Sequence, residues 1–146
     1  MKKAFYLLIV LMIVGSFSLK AQDKSVTRAK ESEKVWVIVN FIKDEAKADY
    51  LSWMNTYFFP ALTHSKNPVI QKQYQCTRWL EPLRQNADKT WTYAFIMDPV
   101  VPNANYDIAF LLKQTYGEEK GGELAKQMES FFALPTIAYA LMQSKI

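Results

Sequence analysis

Residues 35–42, Val-Trp-Val-Ile-Val-Asn-Phe-Ile, form a short β-branched and aromatic run that is apolar on both parities. Such a run reads as a β-strand. Trp36, Ile38 and Ile42 point one way, and Val35, Val37, Val39 and Phe41 the other. Residues 91–97 repeat the arrangement, with Trp91, Tyr93, Phe95 and Met97 opposite Ala94 and Ile96. Strands of this kind belong in the middle of a sheet whose two faces are both covered. The rest of the chain must therefore supply a layer for each face, or a partner must.

One layer is legible. Asp44 is a plausible helix N-cap. Beyond it Ala46, Tyr50, Trp53, Met54, Tyr57 and Phe58 recur at helical spacing, and the helix is expected to end near Pro60. Turn residues fill 64–68. The segment 69–80 is expected to be a second strand, with Gln71, Gln73, Gln75 and Thr77 making one polar face, as on an edge. A hairpin-type connection over 81–89 leads to the strand at 91–97, and a loop with two prolines covers 98–105. A helix is expected from near Asn105, carrying Ile108, Leu111, Leu112 and Tyr116, with Gly117 as its cap. Another follows from about Glu118, with Leu124, Met128, Phe131 and Phe132. Gly121 and Gly122 weaken it by ~1 kcal/mol each relative to alanine. Residues 136–142 fit a strand or a short helix after Pro135, and a strand completes the topology. The order βαββαβ predicts an α+β ferredoxin-like antiparallel sheet with its helices on one face, in a single domain over 35–146.

The second face then lacks a cover. A bare apolar sheet exceeds the few hundred Å² that a soluble monomer exposes. A second copy in an isologous homodimer would cover it; so would the C-terminal segment or the leader folded across. Element order and two-sided strands together resemble the dimeric α/β-barrel superfamily over roughly 35–145. That superfamily includes small antibiotic-biosynthesis-type monooxygenases, stress-responsive barrel proteins and haem-degrading monooxygenases. The resemblance implies a pair of sheets and a small organic ligand held between sheet and helices. Haem-degrading members use an Asn on the first strand, a Trp and a His. Asn40 and Trp91 match the first two, but His64 lies after the first helix rather than in the second half of the chain.

The N-terminus carries a different message. Met1-Lys2-Lys3 precedes an apolar run, and Gly15 to Ala21 closes with a small residue, the layout of a secretory signal peptide over 1–21. The apolar stretch from Ala4 to Leu19 is 16 residues long, short of the ~20 a spanning helix needs. No Cys stands near the expected cut, so a lipid anchor is not expected. The product is expected outside the cytoplasm, periplasmic or extracellular, with a flexible polar leader at 22–34 and no membrane anchor after cleavage. Loss of Lys2, Lys3 and Lys20 leaves 15 basic against 14 acidic residues, a net +1. That removes the charge argument for a nucleic-acid partner. Cys76, the single cysteine, is either buried and inert or pairs between chains.

Several chemistries are disfavoured. One His and one Cys give no zinc-type cluster, and no Gly-x-Ser-x-Gly elbow or phosphate-binding Gly loop is present. No metal or other cofactor is expected. Asn40 is a polar side chain in an apolar strand, where an unpaired amide is costly. It either faces a ligand cavity beside Trp36, Trp91 or Tyr93, or is a satisfied structural amide. Arg78 interrupts the apolar parity of its segment and either binds a carboxylate ligand bidentately or pairs with a nearby acid. The candidate ligand-binding set is therefore Asn40, Arg78, Trp91 and Tyr93. The expected function is an exported, dimeric module that binds a small apolar or aromatic ligand. The alternatives are a cofactor-independent monooxygenase or isomerase using Asn40, Tyr93 and Arg78, and an envelope protein–protein interaction module.

Overall fold

A computed structural model describes residues 28–145; the expected signal peptide and residues 22–27 of the leader lie outside them. The chain runs β1 (Lys34–Ile42), α1 (Lys47–Trp53), a π-helical turn (Met54–Phe58), α2 (Phe59–Thr63), α3 (Pro68–Gln75), β2 (Thr77–Leu80), β3 (Trp91–Met97), α4 (Ile108–Tyr116), α5 (Glu118–Ser130) and β4 (Phe132–Met142). The four strands form one antiparallel sheet in the order β2-β3-β1-β4. This is the ferredoxin-like arrangement, with β1 and β3 central. Asn40 pairs with Tyr93, Ile38 with Phe95 and Trp36 with Met97.

The helices cover one face only. Ile42, Tyr93, Phe95 and Met97 pack there against Tyr50, Trp53, Met54, Phe58, Leu112 and Leu124. The opposite face carries Val35, Val37, Val39 and Phe41 of β1, none of them fully buried. Register places Leu141, Tyr139 and Ile137 of β4 beside those valines, at 51%, 50% and 41% exposure. The two-sided strands thus have one covered side, and no described segment of the chain lies across the other.

Four local expectations need correction. Residues 69–75 are helical, not strand. Asn67 caps α3 by accepting the Val69 N–H at 2.9 Å, Pro68 occupies the first turn, and the buried positions Ile70, Gln73 and Cys76 fall three apart. Gln and Lys are good helix formers, and the apparent alternation was a helical face read with a period of two. The first helix does not stop at Pro60 but continues to Thr63. A π-helical turn precedes the proline, with the Phe59 N–H reaching back to the Met54 carbonyl. Pro60 then sits in the first turn of α2, where its missing N–H costs nothing. Asp44 does not cap α1; it accepts the Trp91 indole N–H at 2.8 Å, and Ala46 takes the cap position with no side-chain bond. Phe132 opens β4 rather than closing α5.

Gly121 has a role that composition hides. A Cβ there would lie 2.5 Å from the Lys113 backbone nitrogen, so α4 and α5 approach through it. The end of the leader is also tied down. Ser32 N–H donates to Gln143 O and Gln143 N–H to Glu33 O, each at 2.9 Å, prolonging the β1–β4 ladder.

Candidate functional site

A cavity of about 460 Å³ lies between the covered sheet face and the helices. Its walls are Trp36 and Ile38 of β1, Phe95 of β3, Phe58 and Leu62 of the first helical segment, and Ile108 and Leu111 of α4. Among the described residues no Lys, Arg or His lines it. Its one carboxylate, Asp107, is engaged in capping α4, accepting the Phe110 N–H at 2.6 Å. Such a space suits an uncharged apolar molecule, because an unpaired ion would lose hydration without return.

Asn40 supplies polarity in the wall. It is 2% exposed, lines the cavity, and its Oδ1 accepts the Thr136 hydroxyl at 2.8 Å. The β1–β4 pairing shifts register between Val39 and Phe41, and Pro135 sits at this irregularity on an edge strand, where prolines are tolerated. Thr136 belongs to the same stretch and reaches Asn40 across the strands. With Oδ1 engaged, Nδ2 makes no hydrogen bond among the described residues. Behind Asn40, burial pushes the Tyr50 hydroxyl well above its usual pKa. Asn40 and Trp79 stand close enough to counter that shift slightly, yet neither closes a hydrogen bond with it, and the Trp79 indole N–H is likewise buried without a partner. Tyr50 is thus a neutral phenol at any physiological pH.

Gln73, 3% exposed, donates to the Asn105 carbonyl at 2.8 Å, and the Tyr106 hydroxyl accepts the Val101 N–H at 3.0 Å. These two contacts fix the 98–107 loop against the cavity, where the Tyr106 ring meets Trp36 at 5.4 Å between centroids.

The four sequence-derived candidates are not brought together. Asn40 lines the cavity and the other three do not. Tyr93 is on the covered face but stacks on Trp79 at 5.7 Å and packs against Tyr50 at 4.9 Å. Trp91 stands at the far end of the same face, bonded to Asp44, with the Lys47 ammonium 3.3 Å over its ring. Arg78 pairs across the β2–β3 ladder with Ile96 on the open face and forms an ion pair with Asp98 at 2.8 Å. The trio Asn40, Tyr93 and Arg78 therefore does not converge on one point. His64 is exposed after α2, and Cys76 is buried, its thiol pushed up by that burial.

No protein-family model matches the chain, and no curated protein does. A search of solved structures returns a Caulobacter crescentus protein provisionally named an antibiotic biosynthesis monooxygenase, at 9% identity and a TM-score of 0.42, covering 79% of this chain and 92% of that one. The assignment of the fold rests on strand order and register. Among the described residues no helix is long and apolar enough to cross a membrane, and no group of three His, Cys, Asp or Glu side chains could hold a metal ion.

Gln73, Tyr106 and Thr136 were not legible as site residues. Gln73 looked like one of several strand glutamines, and Thr136 enters only through the β1–β4 irregularity. Asn67-Pro68 was the available signal for α3, since an N-cap followed by proline at the first helical position marks a helix start.

Proposed function

We propose that the chain is an exported ligand-binding domain that works as a homodimer, holding a small, uncharged apolar or aromatic molecule between its sheet and its helices. The observation that carries this reading is the cavity of about 460 Å³ whose wall presents the buried Asn40 amide. Its size falls in the range of small-molecule sites. A buried amide in a mostly apolar space favours a ligand bearing one carbonyl, ether or phenolic oxygen. Export rests on the layout of residues 1–21.

Pairing through the open face supports the same reading. With β1 nine residues long, that face measures about 30 Å by 20 Å. This is of the same order as the ~800 Å² per partner of a standard interface. Its apolar β1 and β4 side chains suit a second identical face.

Titration calorimetry with 2-naphthol, an uncharged aromatic carrying one oxygen, tests the binding function. Saturable 1:1 binding that weakens about tenfold in Asn40→Leu (~1.4 kcal/mol) is expected. Binding of equal strength in the variant would remove Asn40 from the site, and no binding of any neutral aromatic would remove the function.

A further inference from the structure

A second cavity of about 470 Å³ lies at the end of the sheet, beyond Trp36. Trp36 and Ala104 line both spaces, so the two share a wall rather than lying apart. Their chemistry differs. The first is lined by no cation among the described residues, whereas Lys34 of β1 and Lys72 of α3 line the second. Neither lysine makes an ion pair among the described residues. Glu33 also lines this space, but its carboxylate already accepts the Lys30 N–H at 2.6 Å. The neighbouring Asp98 is paired with Arg78 and accepts the Ala29 N–H at 2.7 Å. Glu33 keeps its charge while accepting that bond, so the lining sets two exposed lysines against one carboxylate, a net +1 that favours an anion.

Lys34 and Asn40 lie on the same side of β1, about 20 Å apart along the strand. We infer that the two cavities act as one elongated site for an amphiphile. Its apolar body runs past Trp36 into the space beside Asn40, and its anionic head group, a carboxylate or a phosphate monoester, sits between Lys34 and Lys72. This rests on the ligand-binding reading above and extends it, since the first cavity alone would select an uncharged molecule.

The test compares decanoate, decyl phosphate and 1-decanol as ligands of the purified protein by calorimetry, with 2-naphthol as the probe of the first cavity alone. Decanoate or decyl phosphate binds at least tenfold more tightly than 1-decanol, and the tighter of the two names the head group. In the double variant Lys34→Gln/Lys72→Gln that advantage disappears while 1-decanol and 2-naphthol bind as before. Equal binding of 1-decanol and both anions by the unaltered protein overturns the inference and leaves the first cavity's function standing. Failure of 1-decanol and 2-naphthol alike removes both.

Discussion

The two faces of this sheet are built from the same strands and have opposite fates. Toward the helices, Ile42, Tyr93, Phe95 and Met97 are sealed in a core crowded with aromatic rings. Toward the other side, Val37 and Val39 stand beside half-exposed Tyr139 and Ile137. Both faces are apolar, so hydrophobicity alone does not distinguish them. The difference is the cover: helices lie over one face and bound a cavity against it, while no described segment lies across the other. On the proposed function, the covered face serves a small molecule and the open face a second copy of the chain.

That contrast can be broken from either side. The largest effect is expected from Val37→Lys, which puts a charge in the middle of the open face. Dimer dissociation should strengthen by more than a hundredfold, about 3 kcal/mol, giving a monomer by light scattering at micromolar concentration with an unchanged circular dichroism spectrum. A monomeric unaltered protein would remove the dimer outright. Next is Gly121→Ala, which forces α4 and α5 apart where no Cβ fits. Overpacking of this kind costs about 2–3 kcal/mol and should lower the thermal midpoint without altering the association of those chains that remain folded. Asn40→Leu comes third, with its tenfold loss of 2-naphthol affinity and no change in oligomer mass.

Tyr50→Phe gives the smallest effect. It removes a buried hydroxyl that closes no hydrogen bond, so stability at neutral pH should stay within about 1 kcal/mol of the unaltered protein. Burial raises the Tyr50 pKa above its ordinary value of 10.0. The unfolded chain then loses this proton first, and the stability present below about pH 10 falls as the pH rises past it. Denaturant midpoints measured from pH 9 upward should decline less steeply in Tyr50→Phe; an identical slope would show that other groups set the alkaline limit.

The contrast between faces was itself legible in the sequence, because alternation along β1 and β3 reports both sides of each strand. Helix α4 was also readable, from the spacing of Ile108, Leu111 and Leu112. The candidate site was legible only at Asn40, which stood out as a polar residue in an apolar run. Arg78 was singled out on the premise of a long second strand, but α3 takes up most of that segment and the remaining β2 points Arg78 away from the helices. Trp91 and Tyr93 are on the expected face, yet neighbours that sequence spacing cannot reveal occupy them: Asp44 and Lys47 for the first, Trp79 and Tyr50 for the second. The cavity is bounded by the 98–107 loop, whose position depends on Gln73 and Tyr106, contacts made across the fold rather than along the chain.

The division of labour between the faces is tested most directly by nuclear Overhauser contacts from bound 2-naphthol to methyl-labelled protein. Contacts are expected to Ile38, Ile108 and Leu111, which line the covered cavity, and none to Val37 or Val39. Contacts to those two valines instead would contradict it, because the ligand would then occupy the face assigned here to a second copy of the chain.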